Sequence, residues 1–234
     1  MFPAWMLPND LTAFICSWAA ALRAGSAPRL LPLLVGLFFA KGRRTVASWL
    51  RAGKLGGDFR RYYYFIGALG RRTTFLAWVF FVLLRKRIPE PARWVFAIDD
   101  TPTRRYGPMV EGAGIHHNPT PGPADQKYVY GHIWVTLSWV AEHPQWGNIG
   151  LPLLADLYIR QKDLPKIDPG SRPAFRTKHE QAIGQMDRLR QMLPRDGKPV
   201  WLAMDGAYVS TAVLRAAHAE QIVVVSRLRR DAAL

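Results

Sequence analysis

Aspartate residues end two short apolar runs, and they are the side chains of this sequence best suited to metal-ion chemistry. The first run, residues 94–98, is followed by Asp99 and Asp100, and the second, residues 200–204, is followed by Asp205. An ionised carboxylate is costly to remove from water unless it finds hydrogen bonds or a cation. Acids at the mouths of two core segments therefore indicate a site.

Two such carboxylates are suited to the metal-assisted cleavage of phosphodiesters. Carboxylate oxygens are natural ligands of Mg²⁺, and two divalent ions about 4 Å apart can clamp the attacking and leaving oxygens of a phosphodiester. The competing interpretation is structural, because an Asp before Thr101 and Pro102 is also typical of a turn. In that case one of the acids at positions 99 and 100 only caps the turn.

Both apolar runs have the length of buried strands and are too short for buried helices. A third run, residues 222–226, is the richest in β-branched side chains and is the most strand-like segment of the chain. It is followed by three arginines that could hold phosphate groups, and the alternative is that some of them are only solvated charges: Arg227, Arg229 and Arg230.

Residues 91–234 are predicted to form an α/β domain built around these strands. The predicted order β-β-β-α-β-α-β comprises strands at 94–101, 128–140 and 151–160, a helix at 175–192, a strand ending at Asp205, a helix at 211–219 and a strand at 222–226. This order predicts a mixed sheet with crossovers. The first strand, placed beside the fourth, would bring Asp99 and Asp205 together at the carboxyl ends of the strands, where open α/β sheets bind ligands.

The segment between the first two predicted strands, residues 102–127, is rich in Pro and Gly. It predicts a long loop or a ragged hairpin at the mouth of the sheet. His116 and His117 lie in this loop and are poorly spaced for a shared zinc ion, so no metal is assigned to them. His132 falls inside a strand, where a core or supporting role is expected. Arg104 and Arg105 are candidates for contact with the nucleic acid backbone on charge grounds.

Residues 1–90 are predicted to form an all-α, basic domain. Helices are expected at about 28–40, 46–52 and 73–84, with a boundary near residue 90 at a cluster of basic residues and prolines. Residues 1–93 carry 15 Lys and Arg against 3 Asp and Glu, out of a formal net charge of +15 for the chain. Such an excess favours a polyanionic partner. These short basic helices are consistent with a helix-turn-helix-like DNA-binding module in which Arg43 and Arg44 contact phosphates. The alternative is a basic helical bundle that does not recognise DNA sequence through a groove.

The sequence is not typical of a membrane protein or of a disulfide-bonded protein. The apolar segments 30–40 and 74–84 fall well short of the roughly 20 residues that span a bilayer. A single cysteine, Cys16, excludes an internal disulfide and agrees with a reducing compartment. We therefore expect a cytoplasmic protein with no membrane partner.

Five blocks of the sequence, in their order along the chain, resemble the DDE transposases of bacterial insertion sequences. The blocks are Ala97-Ile98-Asp99-Asp100-Thr101, Tyr130-Gly131-His132, Phe175-Arg176-Thr177-Lys178, Ala203-Met204-Asp205-Gly206-Ala207-Tyr208 and residues 225–234. The resemblance implies a ribonuclease H-like catalytic core that uses two Mg²⁺ or Mn²⁺ ions to nick transposon ends and join them to target DNA. It implies double-stranded DNA as partner and, in an intact relative, a homodimer that pairs two ends.

The resemblance also implies particular site residues. Asp205 matches the second acid of the family, and Asp99 matches the first, with Asp100 as the alternative; Asp99 and Asp205 are the expected metal ligands. The family's third acid, a Glu, lies on a helix beyond the last strand, and no match to it occurs in this sequence. The expectation is therefore a C-terminally truncated, inactive or incomplete transposase. Two other functions stay open: a DNA-binding repressor derived from a broken copy, and a nuclease of the same core with another partner.

Overall fold

The chain divides into two compact units, Met1–Arg87 and Ile88–Leu234. The structure, a computed structural model, describes residues 7–42, 45–57, 59–107, 109–118 and 127–227. The first unit is helical, and the second holds a mixed sheet with helices. The predicted fold class is confirmed: a ribonuclease H-like α/β sheet preceded by an all-α region.

The first unit consists of helices joined by short connections. These are α1 (Asn9–Ala19), α2 (Leu30–Phe39) preceded by a 3₁₀ turn (Ala27–Arg29), α3 (Val46–Ala52), α4 (Arg60–Gly70) and α5 (Thr73–Arg85). Their core contains Ile15, Leu30, Leu33, Leu50 and Phe65, all buried. Burial of such side chains is the main force that stabilises a helical unit of this size.

Local sequence explains how α2 and α3 pack. Thr45 caps α3, its side chain accepting a hydrogen bond from Ser48 N at 3.2 Å. Gly36 of α2 lies so close to α3 that an added Cβ would come within 2.0 Å of the Trp49 carbonyl oxygen. Only glycine allows this approach of the two backbones.

No single helix among the described residues is long and apolar enough to cross a membrane. Helices α4 and α5 meet the length and composition criteria only when they are taken together, and an 81° bend separates them.

The described residues of the second unit form a six-stranded sheet. Its strands are β1 (Trp94–Arg104), β2 (Gly114–His117), β3 (Tyr128–His143), β4 (Gly147–Tyr158), β5 (Val200–Met204) and β6 (Ile222–Val225). Helix α6 (Lys178–Met192) joins β4 to β5 after a 3₁₀ turn (Gln161–Lys166), and α7 (Thr211–Ala219) joins β5 to β6. A further 3₁₀ turn (Gly206–Tyr208) directly follows Asp205.

Strand β1 lies at the centre of the sheet, antiparallel to β3 and parallel to β5, and β5 is parallel to β6. Strand β4 pairs with β3 over residues 133–143, and β2 pairs with β3 over residues 128–131. Strand β1 is therefore adjacent to β5, as the sequence predicted.

The structure corrects two details of the predicted pattern. His116 and His117 lie in β2, not in a loop, because the first residues of β3 offer a backbone edge with which this short segment pairs. The connection between the strands predicted at 128–140 and 151–160 is shorter than expected, since β3 continues to His143 and β4 already begins at Gly147. Gly147 has a φ of 66°, which suits glycine in the tight connection.

The two faces of the sheet differ in burial. On one face Trp94, Phe96 and Ile98 of β1 are at most 1% exposed, as is Leu202 of β5. Helix α6 packs against β3 and β4, and α7 packs against β6 and α6. Intervening residues such as Val95, Ala97, Trp201 and Ala203 are half-buried on the other face, and Val223 is 50% exposed. Successive side chains along β1 and β5 therefore point alternately to the buried face and to the more exposed face of the sheet.

Helix α6 begins with a reciprocal cap. The Thr177 side chain accepts a hydrogen bond from Glu180 N at 3.2 Å, and Glu180 Oε2 accepts one from Thr177 N at 2.7 Å. These bonds satisfy amide groups that the first turn of a helix leaves without partners. They also fix where α6 begins, and hence the positions of Lys178 and His179.

We expect Thr177→Ala to lower the free energy of unfolding by about 1 kcal/mol, because the cap of α6 loses its side-chain acceptor. Urea unfolding followed by circular dichroism measures this change. Thr211→Ala is the matched control, since Thr211 is exposed at the first position of α7 while Ser210 provides the cap there. Equal stabilities of the two variants would contradict the assigned cap.

Candidate functional site

Asp99 and Asp205 directly follow the last paired residues of two neighbouring parallel strands. The final pair of β1 and β5 joins Ile98 to Met204, and one further step along each strand leads to the two acids. Registered residues of parallel strands project from the same face of the sheet. Asp99 and Asp205 therefore come at the edge where β1 and β5 stop pairing, although β1 itself continues beside β3 to Arg104.

The alternation of the strand separates Asp99 from Asp100. Asp99 continues the half-buried set of Val95 and Ala97 and is exposed, whereas Asp100 continues the buried set of Trp94, Phe96 and Ile98. Asp205 likewise stands two positions after Ala203, which is half-buried in β5. Asp99 and Asp205 thus share one face, and Asp100 points to the face opposite.

Asp99 and Asp205 each accept a hydrogen bond from a nearby backbone amide. Asp99 Oδ1 accepts from Asp100 N at 2.8 Å, and Asp205 Oδ1 accepts from Ala207 N at 3.4 Å. Within the described ranges neither carboxylate forms an ion pair with Lys, Arg or His. Exposed carboxylates of this kind have the donor chemistry that Mg²⁺ or Mn²⁺ requires. The same ranges contain no group of three His, Cys, Asp or Glu side chains that could hold a metal ion.

Asp100, the alternative first acid, is already paired with a cation. The Lys178 ammonium at the start of α6 donates to Asp100 Oδ2 at 2.5 Å. The Tyr208 hydroxyl donates to Asp100 Oδ1 at 3.5 Å. A carboxylate whose two oxygens face a lysine and a phenol is a poorer metal ligand than its exposed neighbour, so the geometry favours Asp99.

Tyr208 is a buried side chain that contacts Asp100. Its side chain is only 2% exposed. Burial raises the pKa of the Tyr208 phenol well above its usual range, and the negative charges of Asp100, Asp99 and Asp205 raise it further. The phenol is therefore a neutral hydrogen-bond donor at physiological pH.

The Tyr130-Gly131-His132 block fixes the end of β1 and the residues that follow it. Tyr130 donates from its hydroxyl to Gly107 O at 3.1 Å, and its own carbonyl accepts from Arg105 N at 3.0 Å. A Cβ at Gly131 would come within 2.1 Å of the Thr103 carbonyl oxygen, so this position of β3 requires glycine.

His132 supports the same segment as a neutral side chain. Its Nδ1 accepts a hydrogen bond from Arg105 Nε at 3.1 Å, so the proton lies on Nε2, which donates to Glu111 O at 2.9 Å. His132 is 9% exposed. These contacts match the supporting role that the sequence predicted for this histidine.

The predicted DNA-binding arginines are distributed over several parts of the chain. Arg104 is exposed at the end of β1, and Arg227 is exposed two residues beyond β6. Arg105 is half-buried and engages His132, so its guanidinium already has a structural contact. The other four lie outside the described residues: Arg43, Arg44, Arg229 and Arg230.

The sequence did not identify Lys178 or Tyr208 as part of the site, although both stand in blocks that resemble the transposases. Lys178 is the first residue of α6, where a basic side chain opposes the helix dipole. Tyr208 ends the turn that follows Asp205. The unfavourable placement of Lys178 was the one local signal that could have revealed its pairing with a distant acid.

Comparison with known proteins agrees with this geometry. No curated protein matches the chain. A sequence model of the family described as DDE superfamily endonuclease matches residues 19–234, which include most of the helical unit and all of the sheet. The chain, with its paired acids at the ends of adjacent strands, therefore belongs to the DDE superfamily endonucleases.

Proposed function

We propose that this chain is part of a DDE transposase of an insertion sequence, which cuts DNA at transposon ends and joins those ends to target DNA. Its family implies a DNA substrate, and endonucleases of this superfamily generally use divalent metal ions. The observation that supports the proposal most strongly is that Asp99 and Asp205 each directly follow the last residue pair of the neighbouring parallel strands β1 and β5.

Asp99 and Asp205 are the residues that would hold Mg²⁺ or Mn²⁺. When bound there, the metal supplies Lewis-acid activation of the attacking oxygen and stabilisation of the leaving oxygen. The carboxylates lie on the half-buried face of the sheet, where the exposed side chains of Asp99 and Asp205 meet solvent and can be reached by a DNA strand. Asp100, held by Lys178, lies on the other face.

The ligand set within the described residues is incomplete for this chemistry, since no third acid joins the other two in a metal-binding group. A ligand set that leaves the ion misplaced by about 1 Å can already cost about a hundredfold in rate. We therefore propose that these 234 residues alone cleave DNA weakly or not at all. Incubation of the purified chain with transposon-end DNA and Mg²⁺ tests this; strong cleavage that Asp205→Ala abolishes would contradict it.

The helical unit is the part proposed to bind the DNA backbone. On α4 a row of exposed residues runs along one side of the helix at positions 60, 64, 67 and 71, with Arg60 and Arg71 at its ends and Tyr64, 72% exposed, between them. Helix α4 has no acid in its first turn. A basic row with an exposed aromatic ring is suited to phosphates rather than to a protein core.

We expect the double variant Arg60→Gln with Arg71→Gln to bind duplex DNA more weakly and with a smaller salt dependence. Loss of two phosphate contacts should lower the slope of log K against log salt by about 2. Fluorescence anisotropy at several salt concentrations measures this slope. Arg23→Gln is the matched control, because Arg23 is an exposed arginine of the same unit outside α4. Equal slopes for the control and the double variant would contradict a role for this helix face.

A non-catalytic DNA-binding repressor is the second candidate function. The incomplete ligand set among the described residues favours it, because DNA binding by the basic helical unit does not need the acids. The double variant Asp99→Ala with Asp205→Ala separates the two functions. A repressor keeps its DNA affinity and its effect on transposition in this variant, whereas a nuclease loses its activity.

A further inference from the structure

Three distant segments of the second unit meet at Asp100. Lys178 of α6, 78 residues along the chain, and Tyr208, 108 residues along, both contact its carboxylate. We call Asp100, Lys178 and Tyr208 the Asp100 clamp. Its members come from the end of β1, the start of α6 and the turn after β5, the elements that surround the candidate metal ligands.

A second contact between the same elements involves His179, the next residue of α6. Its Nε2 donates to Ala207 O at 2.9 Å, which assigns the proton to this nitrogen. The His179 ring also meets the Tyr208 ring edge to face, with centroids 6.1 Å apart. The start of α6 therefore holds the turn after Asp205 through one backbone carbonyl and one aromatic ring.

Helix stability does not explain Lys178. A basic side chain in the first turn of a helix faces the positive end of the helix dipole, which is unfavourable. The contacts of its ammonium offset this cost: Asp100 at 2.5 Å, and the Tyr158 ring with its centroid 5.6 Å away. The position of Lys178 therefore serves a tertiary contact.

The Asp100 clamp sets the distance between the two exposed acids. Asp99 precedes Asp100 by one peptide bond, so holding Asp100 limits the freedom of the Asp99 backbone. Asp205 is joined to Tyr208 by a 3₁₀ turn in which Tyr208 N donates to Asp205 O at 2.9 Å. At Asp99 and Asp100, β1 still pairs with β3 but no longer with β5. The contact between Asp100 and Tyr208 is therefore a link between the segments that carry Asp99 and Asp205 beyond the point where these two strands stop pairing.

We propose that Asp100, Lys178 and Tyr208 are positioning residues, which hold Asp99 and Asp205 at the spacing that a shared divalent ion needs. This inference rests on the proposed function. It assigns the adjacent acids to different tasks: Asp99 binds the ion, and Asp100 anchors the strand end. The alternative assignment makes Asp100 the ligand and Lys178 its competitor.

Lys178→Met distinguishes these two assignments by the sign of its effect. If Asp100 is a ligand, loss of the lysine releases a carboxylate and removes a positive charge, so the affinity for Mn²⁺ rises. If Asp100 is an anchor, loss of the lysine releases the strand end, so the affinity falls even though the local charge has become more negative. Lys178→Arg keeps the ion pair and restores part of the affinity.

Tyr208→Phe tests the clamp without a change of charge. Loss of residues that orient metal ligands costs roughly 10- to 100-fold in metal affinity, and we expect an effect in this range, measured as Mn²⁺ binding by electron paramagnetic resonance. The matched control is Tyr128→Phe, which removes a hydroxyl from a tyrosine of the same unit that is 55% exposed at the start of β3. Thermal unfolding of each variant separates a change in metal affinity from a loss of fold.

The outcomes distinguish the clamp from the proposed function. Weaker Mn²⁺ binding by Tyr208→Phe and Lys178→Met, with Tyr128→Phe unchanged and Lys178→Arg intermediate, supports the clamp. Binding by Tyr208→Phe at the wild-type level, or tighter binding by Lys178→Met, overturns the clamp and leaves the proposed function in place. A wild-type chain that binds no Mn²⁺ overturns both.

Discussion

Asp205→Asn is expected to lower the affinity of the chain for Mn²⁺ by roughly 100-fold or more, beyond the cost of losing a residue that only orients a ligand. The amide keeps the shape of the side chain but removes its negative charge and one of its two oxygen donors. Only Asp99 would then remain of the two exposed carboxylates at the ends of β1 and β5. Electron paramagnetic resonance of Mn²⁺ titrated with protein measures the change.

Asp187→Asn is the control for this experiment. Asp187 is an exposed carboxylate on α6 and lies away from the strand ends. The Asp187→Asn substitution removes one negative charge from the same unit, as Asp205→Asn does. A general electrostatic effect on Mn²⁺ binding would therefore appear in both variants. Equal losses of affinity for Asp187→Asn and Asp205→Asn would contradict a metal site at Asp205.

Asp163→Ala is expected to lower the free energy of unfolding by about 3 kcal/mol. Asp163 is only 3% exposed, and it accepts hydrogen bonds from Arg160 Nε at 2.6 Å and from Lys166 Nζ at 2.8 Å. Its removal leaves the partly buried Arg160 guanidinium without its carboxylate. Lys166→Ala, which removes a side chain that is 73% exposed, should cost less than about 1 kcal/mol. Urea unfolding of both variants measures the difference, and similar costs would contradict the central role of Asp163.

The contribution of Asp163 should also depend on pH. Burial by itself would raise the pKa of this carboxyl, but the hydrogen bonds from Lys166 and Arg160 outweigh it and hold the pKa below its usual range. Because the folded pKa is the lower one, the stabilisation is complete above the unfolded value of about 3.9 and is lost as the pH falls through the folded value. The stability difference between the wild type and Asp163→Asn should therefore be constant above pH about 5 and shrink below pH about 4.

The sequence predicted the core of the sheet because its strands are short apolar runs with clear boundaries. The run ending at Asp99 became β1, and the run ending at Asp205 became β5, adjacent and parallel as the element order predicted. Strand β2 was missed because its four residues carry little β pattern of their own. Pairing with the start of β3 forms it, and such a partner cannot be read from a local window.

The candidate site was predicted only in part, again because its contacts join residues that are far apart in the sequence. Both exposed acids could be found because they end apolar runs, whereas the choice between Asp99 and Asp100 needed the two faces of the sheet. The pairing of Asp100 with Lys178 and Tyr208 spans 78 and 108 residues. No periodicity in the sequence connects residues so far apart.

The need for glycine at position 131 has a similar origin. The sequence shows Gly131 inside a strand, where glycine usually weakens pairing. The structure explains it by the Thr103 carbonyl oxygen, which occupies the space that a side chain would need. The block that resembles the transposases at this point therefore reflects the close approach of β1 and β3 next to the acids.

Paramagnetic broadening of amide NMR signals by substoichiometric Mn²⁺ tests the central claim most directly. If Asp99 and Asp205 share a divalent ion, the amides of residues 98–100 and 204–207 broaden together and first, and Asp205→Asn removes the effect at both strand ends. Broadening that centres on other carboxylates, or that affects one strand end and leaves the other unchanged, would contradict a shared metal site.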